Sequence, residues 1–173
     1  MRGPWVVDRI VAVTGPSIPG VAKVAVIEGI DVRLPPNPVW VLRGVVNPEQ
    51  YTTPEEHEAL AQRQQPLGLP TATRAALIPI TKSQAWWRLP QGERRAIFEE
   101  TSRHIATGIE YLPAIARRLH HGRDLGEPFD FLTWFEFATE HVAAFEELVR
   151  RLRSTEEWSY VVREVDVRLT REM

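Results

Sequence analysis

The sequence predicts an α+β fold, an antiparallel sheet with helices on one face, and three observations carry that prediction. Segments rich in Val, Ile and aromatic residues recur between Gly and Pro, as strands do. Two of them, 75–83 and 129–138, are joined by a long stretch whose apolar residues fall at helical spacing. From residue 39 onward the predicted order is β-α-β-α-β-α-β, which suits a sheet whose helices gather on one side.

Taken in order, 5–13 (WVVDRIVAV) and 22–33 (AKVAVIEGIDVR) predict a hairpin. Leu34 to Pro38 holds three prolines and marks a seam, dividing an N-terminal unit, 1–38, from the main domain, 39–173. A strand over 39–46 comes next, then a short helix with Thr53 as its cap and Pro54 in its first position. The run 64–73 is a Pro/Gly/Gln-rich loop, and 75–83 (AALIPITKS) is a strand. The stretch from Pro90 to His121 predicts helix, with Ile97, Ile105, Ile109, Leu112, Ile115 and Leu119 as its buried stripe. Pro113 lies inside it and calls for a kink or break near 109–113, since proline removes a backbone donor and clashes one turn back. In 129–138 (FDFLTWFEFA), Phe129, Phe131, Phe135 and Phe137 share one face while Leu132 and Trp134 share the other, so both faces are expected to be covered. A helix over about 139–153 and a strand over 160–169 complete the chain.

Composition narrows the function. With 43% hydrophobic and 25% charged residues, the 173-residue chain has ample material for a core. A net charge of -2 and a pI near 6.2 argue against nucleic acid, whose phosphates call for a basic surface. There is no cysteine, which removes disulfides, thiol catalysis and Cys-ligated metal. No secretory signal or membrane-length apolar run is present, so the expected setting is soluble and cytoplasmic.

Five histidines are the natural chemical candidates: His57, His104, His120, His121 and His141. No HxxxH or HExxH occurs, which disfavours a zinc hydrolase site, and adjacent His120 and His121 diverge on a helix. His57 lies in the acidic run EEHE, an exposed setting, whereas His104 shares the stretch of the buried stripe and is the best inward candidate. Any of them can equally be an ordinary hydrogen-bonded histidine. In AIARRL one arginine must lie near the apolar face, where its stem either snorkels to water or its head meets an anion. On an unbroken helix His104 and Arg117 would stand about 140° apart, so they converge only if the helix breaks. The pair Trp86-Trp87 after Lys82 suits a core indole beside an interface indole, or a cradle for carboxylates.

Three runs carry a family resemblance: ALIPITKSQAWW (76–87), ERRAIFEETSRHIATGIEYLPAIARRLHHGRDLGEPFDFLTWFEF (93–137) and LVRRLRSTEEWSYVVREVDVRL (148–169). His-x12-Arg, the upstream Lys-x3-Trp-Trp and the Glu of STEEW occur together and in order, and over roughly 39–173 the chain resembles chlorite dismutases of the short, dimeric branch. The resemblance implies a ferredoxin-like sheet with helices on its outer face, a dimeric α/β barrel whose N-terminal copy is cut down here to the 1–38 unit. It implies haem b as cofactor, His104 as ligand to the iron, and Glu157 accepting a hydrogen bond from the other nitrogen of that ring. Such a carboxylate fixes the tautomer and makes the ligand more basic. Arg117 matches the distal arginine. Lys82 and Trp86 match groups that hold the haem propionates, Tyr51 is a third candidate, and Trp87 matches the second indole, near the proximal side.

In that family chlorite binds opposite the histidine and leaves as chloride and dioxygen, with the O–O bond formed at the site. Homodimerisation and a small anionic substrate follow from the same resemblance. The alternatives are a haem-binding or sensing protein of this fold without chlorite turnover, a coproporphyrin-haem decarboxylase, whose members lack this arginine, and a haem-free interaction module. His104 together with Glu157 argues against the last.

Overall fold

The computed structural model describes residues 2–46, 66–102 and 104–173, apart from the side chains of Arg2, Glu100, Thr101 and His104. Six strands form one antiparallel sheet: β1 (Arg2–Thr14), β2 (Lys23–Val26), β3 (Arg74–Lys82), β4 (Ile115–His121), β5 (Phe131–Phe137) and β6 (Val161–Arg171), in the order β2-β1-β6-β3-β5-β4. Among the described residues the α-helices are α1 (Gln84–Arg88), α2 (Gln91–Arg95), α3 (His104–Glu110) and α4 (Val142–Arg153), with a π-helical turn over Ala96–Thr101. This is the α+β architecture expected, a ferredoxin-like sheet carrying helices. Among the described residues no helix is long and apolar enough to cross a membrane.

Period-two alternation sorts the strand residues into two buried layers. One face presents Ala76, Ile78, Ile80, Ile115, Phe131, Phe135 and Phe137, and α4 lays Phe145, Leu148, Val149 and Leu152 into it. Those four positions are the i, i+3, i+4, i+7 stripe of one helical face. Phe145 is fully buried, stacked on Phe137 at 4.5 Å and edge-on to Phe135 at 5.0 Å. The other face presents Ala75, Leu77, Leu132, Trp134, Val165, Val167 and Leu169 with Trp5, and is partly covered by Ile18, Val21, Trp40, Leu42 and Leu67. Both faces of β5 are thus covered, as its pattern predicts. Phe129 departs from that pattern: it precedes the strand and joins the Trp134 side.

A charged seam ties β6 to α4. Arg153 donates to Glu164 at 2.8 Å and to Asp166 at 2.9 Å, and Arg168 donates to Asp166 at 2.5 Å and to Glu146. Burial by itself would raise the Asp166 pKa, but the hydrogen bonds and charges of Arg168 and Arg153 outweigh it and hold the carboxyl below its ordinary value.

The chief correction concerns 90–121. Helix ends at Glu110, the chain turns through Pro113, and 115–121 is strand β4, paired residue for residue with β5. The break expected at Pro113 is there, but the chain beyond it is extended rather than helical. The physical reason is that Ile115 and Leu119, four apart, share a face in a strand as they do in a helix, and the open edge of β5 supplies the hydrogen bonds. The predicted hairpin forms, with β2 short, and β1 runs on along β6. Residues 39–46 lie beside β4, joined to it by a single bridge from Val45 to His121 rather than as a full strand. The helix predicted at Thr53 and the candidates Tyr51 and His57 lie outside the described residues.

Candidate functional site

The site grows from the end of β3. Lys82 points to the helical side of the sheet, and its backbone N–H donates to Asp130 Oδ2 at 2.8 Å. The chain then turns into α1, capped by the Ser83 side chain, which accepts from the Trp86 N–H. This turn sets the two indoles apart. Trp86 is wholly buried, beneath the Lys82 ammonium at 3.8 Å from its ring centre and against Tyr160 at 5.3 Å. Trp87 stacks on Phe131 at 5.8 Å and donates to Asp130 Oδ2 at 3.1 Å. One indole is therefore core and the other lies at the rim of a cleft.

The resemblance implies a haem propionate for Lys82, whereas here its ammonium donates to Glu157 Oε2 at 3.3 Å. Both side chains are withdrawn from solvent, 4% and 2% exposed. Burial lowers the Lys82 pKa, and the adjacent Glu157 carboxylate opposes that shift. Glu157 opens the short 3-10 turn Glu157–Tyr160, and its backbone N–H donates to Ser102 Oγ at 2.9 Å. The backbone of Glu157 is thereby tied to Ser102, two residues upstream of His104.

His104 is the first residue of α3. The start of that helix is held by Glu99 from the preceding π turn: its carboxylate accepts from Ile105 N at 2.6 Å and from Ala106 N at 3.1 Å. A carboxylate bridging two unpaired amides at a helix N-terminus combines capping with favourable charge–dipole attraction. Further along, Arg151 of α4 donates to Glu110 at 2.6 Å and to the Tyr111 hydroxyl at 3.1 Å, pinning the other end of α3. Ile105 and Leu112 are buried there, with Phe98 and Ile109 against them.

Arg117 reaches the same helix from the opposite element. It lies on β4 opposite Phe135, half-buried, and its guanidinium rests against Gly108, one turn beyond His104. A methyl group at Gly108 would stand 3.0 Å from Nη1. Arg117 therefore reaches α3 from a strand, and the 140° divergence expected on one unbroken helix does not arise.

The other described histidines serve elsewhere. His120 Nδ1 lies 3.3 Å from Leu132 O, and His141 lies 3.7 Å from the neighbouring Glu140. His121 meets Phe131 edge-on at 5.4 Å, and burial lowers its pKa. It lines a cleft of about 470 Å³ together with Trp87, Arg94, Arg123, Asp124 and Phe131. The guanidiniums of Arg94 and Arg123 lie 5.2 and 4.1 Å from the Trp87 ring centre.

Sequence reasoning passed over Glu99, Ser102, Gly108 and Asp130. A continuous helix through 90–121 hid the helix start that Glu99 caps, and no spacing rule links Asp130 to Lys82 across two strands.

The donor set fits an iron porphyrin. A histidine at a capped helix start could ligate the iron, and a buried carboxylate from the segment bonded to Ser102 could accept the second N–H of its ring. Phe98 and Ile109, packed against buried Ile105 and Leu112, are the apolar side chains of that cluster that stay partly exposed.

Comparison with known proteins bears on the same region. A family model described as chlorite dismutase matches residues 31–173. A chlorite dismutase of Ideonella dechloratans is 33% identical over 89 residues, which are 51% of this chain but only 29% of that relative. A crystal structure of dimeric chlorite dismutases from Nitrobacter winogradskyi is 52% identical, with a TM-score of 0.91 over 98% of this chain and 95% of the other. A variant chlorite dismutase from Candidatus Nitrospira defluvii is 26% identical with a TM-score of 0.61, matching 75% of this chain and 53% of its own.

Proposed function

Because the chain belongs to the chlorite dismutase family, we propose that it is a haem b enzyme converting chlorite to chloride and dioxygen. The observation that supports this best is the convergence on α3: Glu157 is tied beside its start, where His104 stands, and Arg117 lies against its next turn. We read residues 1–38 as the shortened N-terminal unit of the fold and the whole as a homodimer, like the Nitrobacter winogradskyi relative.

In this reading His104 holds the iron and Glu157 accepts the N–H on the far side of its ring. A carboxylate has room for about four hydrogen bonds, so accepting from Lys82 is compatible with accepting from an imidazole. Lys82 acts on Glu157, keeping a negative charge in place in a setting that would otherwise disfavour it. Bound haem supplies the redox chemistry. Arg117, always cationic, would draw in the small anion and retain the chlorine–oxygen fragment until dioxygen forms. Trp86, Trp87 and Tyr51 complete the cofactor's surroundings.

The test is a titration of ferric haem into the protein, followed by absorbance, with His104→Ala alongside, and then addition of chlorite. Saturation at one haem per chain, lost in His104→Ala, with chlorite consumed as chloride appears, is the expected result. A haem spectrum without chlorite consumption would overturn the enzymatic reading and leave a haem-binding protein, to be assayed next for coproporphyrin-haem decarboxylation.

A further inference from the structure

Gly108 stands in the interior of α3 with no positive φ to require it. Glycine is the least favourable helix residue after proline, so its presence here calls for a reason other than backbone conformation. The reason is on the opposite strand. A Cβ built on Gly108 would lie 3.0 Å from Arg117 Nη1, 3.3 Å from Cζ and 3.5 Å from Nη2. These distances set the face of the guanidinium over the place a Gly108 Cβ would take, and a methyl group there would push it away by a few tenths of an ångström.

We propose that Gly108 is a positioning residue for Arg117: its missing side chain sets where the guanidinium stands relative to the helix that begins at His104. A guanidinium resting on its face keeps its N–H fork in plane, directed away from the surface beneath it. The notch therefore fixes the direction of the donors as well as their distance. The chemical role rests on the anion-gripping reading of Arg117, whereas the contact itself does not.

Two measurements separate these. The first needs no haem: phenylglyoxal modification of Arg117, followed by peptide mass spectrometry, is expected to run faster in Gly108→Ala than in the wild type. An unchanged rate in both Gly108→Ala and Gly108→Ser would overturn the contact. The second is fluoride binding to the ferric haem-loaded protein, measured in a cycle of wild type, Gly108→Ala, Arg117→Ala and the double variant. Gly108→Ala is expected to weaken fluoride binding by up to roughly tenfold, since sub-ångström misplacement of a positioning group costs that much. It should do so with thermal stability unchanged or raised, and should have no effect once Arg117 is alanine. An equal loss in both backgrounds would overturn the role through Arg117. A chain that takes up no haem would instead defeat the haem reading, leaving the modification rate to decide Gly108.

Discussion

Lys82 occupies a position where an ammonium needs a partner, and Glu157 at 3.3 Å is that partner. Removing one member of a buried ion pair costs more than removing both, because the survivor is left charged and unsolvated. Lys82→Met is therefore expected to lower unfolding free energy by roughly 3–5 kcal/mol, and Lys82→Met with Glu157→Gln to recover part of it. Urea denaturation of the four proteins decides this, and strictly additive losses would refute the coupling. His121 makes a prediction in pH. Its pKa is lowered by burial, against the opposing charge of Asp124, so between the folded value and 6.5 the unfolded chain binds more protons. Stability thus rises with pH through that window and falls as the solution is acidified below 6.5. His121→Gln should flatten that part of the denaturation midpoint against pH, and an unaltered slope would exclude His121 as its source. At this scale a family pattern in the sequence proposed His104, Arg117 and Glu157, and the structure sets Ser102, bonded to Glu157, and Gly108, beneath Arg117, on either side of His104. The sequence was silent on Gly108 and Asp130, whose contacts join elements distant in the chain.

Among the elements, α3 and β4 matter most, and here the linear pattern misled. Ile115 and Leu119 satisfy a helical stripe and a strand alternation equally, and only the availability of β5 as a partner decides between them. Pro113 did signal the boundary, because no pairing rescues a proline in a helix interior. A second boundary, at the end of the π turn over Ala96–Thr101, gives α3 its own start, and with it a need for the Glu99 cap that a continuous helix would not have had. Glu99→Ala is expected to cost about 0.5–2 kcal/mol, the usual range for a helix cap, and to weaken haem binding because His104 stands at that start. Glu99→Gln should retain part of both. Unfolding and haem titrations that match the wild type would show the cap to be idle.

At the scale of the molecule, the sheet was legible from strand alternation and the gathering of helices on one face, and β3, β5 and β6 lie close to their predicted positions. Less legible was the long pairing of β1 with β6, a contact between the two ends of the chain that no local pattern announces. Light scattering should give twice the 19.8 kDa chain mass, and a single chain mass at working concentration would rule out the homodimer. Oxygen release tests fold, cofactor and anion grip together. Chlorite is added to the haem-loaded protein at an oxygen electrode, with Arg117→Ala beside it. Rapid dioxygen evolution from the wild type, with turnover falling and hypochlorite leakage rising in the variant, is the predicted result. No dioxygen from a fully haem-loaded wild type would contradict it.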